Sequence, residues 1–143
     1  MDSKTIVLIE DNPDDVALTH RALTKNNIRN ELVVLTDGAA ALEYIFGGEG
    51  QHLAPALVLL DLKLPKIDGL EVLRRLREDK RTRLWPVVIL TSSKEEQDLL
   101  KGYSLGANSY VRKPVDFAQF VEATRQLGLY WLVLNETPPP VSG

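Results

Sequence analysis

Residues 56–61 read ALVLLD, an apolar run with no polar position before its closing acid. A strand with one face in water alternates apolar and polar side chains, so an unbroken apolar run predicts a central strand covered on both sides. Comparable short strand-like runs lie at residues 5–9, 32–35, 87–90 and 109–111, and the longer segments between them place apolar residues at helical spacing. Short strands separated by helix-length patterns predict repeated βα units, hence an α/β fold with a parallel sheet and helices on both faces.

Helix boundaries follow from capping chemistry. Asn12 suits an N-cap, Pro13 the first helical position, and Asp14 and Asp15 the positive end of the helix dipole. Asp37 predicts the cap of a second helix over residues 39–46, which the GGEG at 47–50 ends; no Lys-Ser/Thr follows these glycines, so they make a poor phosphate loop. Leu70, Val72, Leu73 and Leu76 give a third helix its buried stripe. A fourth is expected over residues 95–105, ending at Gly106. A fifth is expected after Asp116, with Phe117, Phe120, Val121, Thr124 and Leu127 on one face. The chain is expected to form one domain over residues 1–134 and a disordered tail over 135–143, rich in proline from 138 onward.

Composition excludes several functions. The 143 residues are 44% hydrophobic and 26% charged, values of a globular protein able to bury one core. A net charge of −3 gives no general reason to bind nucleic acid or acidic lipid. Cysteine is absent, which rules out disulfides, thiolate zinc sites and iron–sulfur clusters. His20 and His52 stand apart, and read better as an exposed helix residue and a loop residue than as metal ligands. No signal peptide and no run of 18 apolar residues is present, so a cytoplasmic location is expected.

The acids then need sorting. In IVLIEDNPDD, residues 6–15, Asp14 and Asp15 are explained by the first turn of a helix, but Glu10 and Asp11 are not. They close the first strand at its carboxyl end, the edge at which open α/β sheets bind ligands where the strand order reverses. Asp61 closes the third strand in the same way. If the two strands are neighbours, Glu10, Asp11 and Asp61 converge. Two unit charges about 4 Å apart repel by about 4 kcal/mol at an effective dielectric of 20, so such a cluster calls for a cation. Hard oxygen ligands without His or Cys point to Mg²⁺. Solvated strand-end charges remain the alternative at this point. Thr91 ends the fourth strand and Lys113 the fifth, which would bring a hydroxyl and an ammonium to the same edge.

Glu10-Asp11, LLDLKLPKIDG around Asp61, ILTS with Thr91 and YVRKP with Lys113, in this order and at these separations, resemble the receiver domain of two-component response regulators over residues 4–134. ALTKNN, the long loop before Pro55, TSSKEEQD and the closing YWLVLN are similar to stand-alone regulators of the cyanobacterial phytochrome type. The resemblance implies a flavodoxin-like doubly wound (βα)5 domain with strand order 2-1-3-4-5. It implies Asp61 as phosphoacceptor from a sensor histidine kinase, and the narrower resemblance implies a kinase of phytochrome type. It implies Mg²⁺ held by Asp11 and Asp61 directly, Glu10 through water and the backbone carbonyl of Lys63. Many receivers have Asp where Glu10 stands. Lys113 would pair with a phosphoryl oxygen, its bond to Pro114 being cis in the family, and Thr91 and Tyr110 would form the switch. The side chains at Lys63 and Ser93 tune dephosphorylation in the family.

No output domain is expected after the fifth helix, so signalling would pass to a downstream protein. The apolar stretch GLYWLVLN at residues 128–135 suggests a homodimer through the fourth helix, fifth strand and fifth helix; folding back over the chain's own core is the competing reading. Neither nucleic acid nor membrane is expected as a partner. A haloacid-dehalogenase-type phosphohydrolase would want an acid at position 63, where Lys63 stands, and a cap domain. A pseudo-receiver would have lost the acceptor or the lysine, and both are present. A flavin reading lacks its phosphate loop.

Overall fold

The structure, a computed structural model, describes residues 5–47, 55–91, 101, 104–112, 118, 121–122 and 125–126, with backbone alone at 91 and 109–112. The expected strands are all found: β1 (Ile6–Ile9), β2 (Leu32–Leu35), β3 (Leu57–Leu60), β4 (Val87–Thr91) and β5 (Ser109–Arg112). They form one parallel sheet in the order β2-β1-β3-β4-β5. The order reverses between β1 and β3, where the chain winds first to one side and then to the other. The register aligns Leu35, Ile9, Leu60, Ile89 and Tyr110 across the sheet.

The unbroken apolar runs have a direct cause. Val7, Ile9, Val58, Leu60, Val87 and Ile89 face one core layer, filled from α2 (Gly38–Phe46) by Ala41, Leu42 and Ile45 and from α3 (Gly69–Glu78) by Val72, Leu73 and Leu76. Ile6, Leu8, Leu57, Leu59, Val88 and Leu90 face the other, against Ala22 and Leu23 of α1 (Pro13–Lys25) and the half-buried Val121. Successive strand residues point to opposite faces, so covering both faces leaves no position for a polar residue. Each fully buried Leu, Ile or Val contributes about 1.5–3 kcal/mol. β2, at the sheet edge, is only partly buried, and Val34 is exposed.

The caps at Asn12 and Asp37 are as expected. Asn12 Oδ1 accepts from the Asp14 N–H at 2.9 Å, and Asp37 Oδ1 from the Ala40 N–H at 2.6 Å. Gly47 closes α2. Asp68 caps α3 through the Glu71 N–H at 3.0 Å, a cap not expected above although the Asp-x-x-Glu pattern at 68–71 carries its signal. Of the fourth helix, residues 101 and 104 are helical, and Gly106 follows at φ 96°. Of the fifth, residues 118, 121–122 and 125–126 are helical. Asp116, Phe117, Phe120, Thr124, Leu127, the apolar stretch 128–135 and the tail 135–143 lie outside the described residues. His20 is an exposed residue of α1, and His52 lies outside the description.

Candidate functional site

The ladder of backbone hydrogen bonds runs one residue past the strands on either side of the reversal. The Glu10 N–H donates to the Leu35 carbonyl at 2.9 Å, and the Asp61 N–H to the Ile9 carbonyl at 3.0 Å. Glu10 and Asp61 are thereby locked side by side at the carboxyl edge of the sheet. Asp11 comes with Glu10, because Asn12 must leave the strand to cap α1. The result is a cluster in which one carboxylate oxygen each of Glu10, Asp11 and Asp61 lies within 4.8 Å of the others. Glu10 is 1% exposed and Asp61 6%, whereas Asp11 is open to solvent.

Two nearly buried carboxylates at this spacing repel in a medium that screens them poorly. Backbone donors offset part of this: the Lys63 N–H gives to Asp61 Oδ1 at 3.0 Å and the Asn12 N–H to Glu10 Oε2 at 3.3 Å. A donor set of carboxylate oxygens, joined in this cluster by no imidazole or thiolate of the described residues, fits a hard divalent cation. The exposed Asp11 leaves the cluster open to solvent on one side.

The loop from Asp61 to α3 packs tightly against Asp61. The Gly69 N–H donates to the Leu62 carbonyl at 3.0 Å, and a Cβ at position 69 would lie 2.2 Å from the Asp61 carbonyl oxygen. Only glycine permits so close a crossing. Thr91 ends β4 and pairs with Arg112, and Tyr110 lies opposite Ile89 in β5; their side chains are outside the description. Lys113, Ser93 and the Lys113–Pro114 bond are outside it too. The structure thus brings together Glu10, Asp11, Asp61 and Lys63. Among the described residues no helix is long and apolar enough to cross a membrane.

The family described as response regulator receiver domain matches residues 6–125. The chain is similar to response regulator Rcp1 of Synechocystis sp. (strain ATCC 27184 / PCC 6803 / Kazusa), with 36% identity over 131 residues, 90% of this chain and 89% of Rcp1. The structure of the Mn²⁺-bound form of Rcp1 is similar at a TM-score of 0.83, covering 94% of this chain and 99% of that one at 34% identity. The phosphorylated cyanobacterial phytochrome response regulator RcpA is similar at a TM-score of 0.85, covering 94% and 98% at 34% identity. The bacteriophytochrome response regulator RtBRR is 50% identical at a TM-score of 0.72, covering 95% of this chain and 84% of that one. With the β2-β1-β3-β4-β5 sheet and the acidic cluster at its reversal point, the chain belongs to the response regulator receiver domain family and has its flavodoxin-like fold.

Proposed function

We propose that this protein is a phosphoacceptor switch that takes a phosphoryl group from a histidine kinase on Asp61, with Mg²⁺ held by Glu10, Asp11, Asp61 and the Lys63 carbonyl. The observation that carries this reading is the cluster of acids delivered by adjacent strands, two of them nearly buried. That a Mn²⁺-bound form of Rcp1 exists supports a divalent cation, and the hardness of the ligands favours Mg²⁺.

Asp61 is the nucleophile: a carboxylate oxygen bonds to phosphorus as the phosphohistidine P–N bond breaks, and its electron pair goes to the imidazole, which takes a proton. The Lys63 N–H, bonded to Asp61 Oδ1, orients the carboxylate for the attack. Mg²⁺, when bound, offsets the clustered charge and polarises a phosphoryl oxygen. Lys113 pairs with a second phosphoryl oxygen, and the Thr91 hydroxyl donates to a third. Thr91 is drawn inward and Tyr110 changes rotamer, so that the surface differs between the two phosphorylation states. Attack of water on the acyl phosphate resets the switch, at a rate tuned by the side chains at Lys63 and Ser93.

In this reading the protein is cytoplasmic. Its kinase is of phytochrome type, as the names of RcpA and RtBRR suggest, and it acts through a homodimer of the fourth helix, β5 and fifth helix toward a downstream protein. The test is labelling by acetyl phosphate. Wild-type protein is expected to label only with Mg²⁺, and Asp61→Asn to abolish the label. A label retained in that variant, or mapped to another residue, refutes the assignment.

A further inference from the structure

The turn between β2 and α2 is packed against the loop that follows Asp61. A Cβ built on Gly38 would lie 1.8 Å from the Ile67 carbonyl oxygen and 2.7 Å from the Ile67 carbonyl carbon. Both are backbone atoms, so no side-chain rotation relieves the contact. Two polar ties join the same surfaces: the Gly38 N–H reaches the Pro65 carbonyl at 3.4 Å, and Lys66 Nζ lies 3.5 Å from Asp37 Oδ2. Asp37 meanwhile caps α2 with its other oxygen, at 2.6 Å from the Ala40 nitrogen. Lys66 adopts φ 68°, a left-handed conformation uncommon outside glycine, so the loop has an unusual shape at the point where Asp37 holds it. From the other side Gly69 closes on the Asp61 carbonyl. Residues 62–67 are therefore gripped between two glycines, and Lys63, whose N–H meets Asp61, lies inside the grip.

We infer that Asp37 and Gly38 are positioning residues for the cation site, fixing where Lys63 presents its backbone to Asp61 although neither takes part in the chemistry. This rests on the reading of Asp61 as phosphoacceptor and of Lys63 as a carbonyl ligand. Gly38→Ala forces the turn and the loop apart, and disturbing the groups that orient a metal's ligands typically costs about 10–100-fold in metal affinity.

Mg²⁺ affinity is measured by calorimetry, labelling of Asp61 with acetyl phosphate at subsaturating Mg²⁺, and the amide resonances of residues 62–67 in EDTA. Gly38→Ala is expected to fold, to bind Mg²⁺ about tenfold more weakly or worse, to label correspondingly slowly, and to shift those resonances even without metal. A folded Gly38→Ala with wild-type Mg²⁺ affinity overturns the inference, whatever its melting temperature. Should Gly38→Ala fail to fold, Asp37→Ala carries the test, since it removes the cap and the tie to Lys66 and leaves Gly38 in place. Several-fold weaker Mg²⁺ binding is expected there, with only part of it recovered in Asp37→Asn, whose side chain still accepts from Ala40 but loses the ion pair with Lys66. Wild-type affinity in Asp37→Ala overturns the inference. A wild type that takes up no Mg²⁺ overturns the phosphoacceptor reading and this inference together, whereas uptake unchanged by the variants overturns this inference alone.

Discussion

Glu10 and Asp11 are adjacent in the chain and differ sharply in surroundings: one carboxylate is nearly buried, the other solvated. Removing the charge of Asp11 therefore relieves repulsion without leaving a buried group unpaired. Asp11→Asn is expected to raise stability in EDTA by about 1 kcal/mol and to weaken Mg²⁺ binding at least tenfold, read by urea unfolding and calorimetry on one preparation. A variant no more stable than wild type would remove the electrostatic argument for a cation. Asp37 offers a pH test. The Ala40 N–H chiefly, with Lys66 adding to it, holds its carboxyl below the usual carboxylate range. A depressed folded-state pKa stabilises the fold above the unfolded-state pKa, and the gain is lost as pH falls through the folded one. The difference in melting temperature between wild type and Asp37→Asn is thus expected to shrink as pH drops from about 6 toward about 2; a constant difference would show that the charge of Asp37 contributes nothing.

Among the elements, α3 and the turns around it depend on one side chain. Arg77 Nε donates to the Gly106 carbonyl at 2.8 Å, Nη1 to the Arg83 and Trp85 carbonyls at 3.0 and 2.8 Å, and Nη2 to Asn108 Oδ1 at 2.8 Å. Burial lowers its pKa, yet a guanidinium stays charged. Asn108 in turn accepts from the Val87 N–H at 2.8 Å, so the clasp joins α3 to the starts of β4 and β5. Arg77→Leu is expected to cost roughly 2–3 kcal/mol in urea unfolding, because several carbonyls lose their donor at once, and Arg77→Lys to recover only part. The neighbouring Arg74 is bonded to Glu71 and Glu78 on an exposed helix face, where water screens the pairs, and Arg74→Gln is expected to cost far less than Arg77→Leu. Equal losses in the two variants would contradict the clasp. Nothing in the sequence separates Arg77 from the arginines beside it; only the fold brings Gly106 and Asn108 within its reach.

For the whole molecule, the proposed homodimer and switch would be properties of the surface. Sedimentation at micromolar concentration is expected to show a dimer that strengthens when beryllofluoride and Mg²⁺ are added; a strict monomer in both conditions would exclude it. The strands, the caps at Asn12 and Asp37 and the acids at the strand ends were legible from sequence. Each depends on contacts within a few residues: a side-chain period, a cap, a charge closing an apolar run. Local chemistry by itself could not decide that β1 lies between β2 and β3, since strand neighbours are chosen by how helices cover both faces of the sheet. The family resemblance supplied that order before the fold displayed it. The sequence alone determined that this chain carries Glu10, Asp11 and Asp61 at the carboxyl ends of buried strands. Only the tertiary structure decided that those ends meet within 4.8 Å, and that Gly38, Asp37 and Arg77 hold distant backbone in place, because such contacts join residues that no local preference relates.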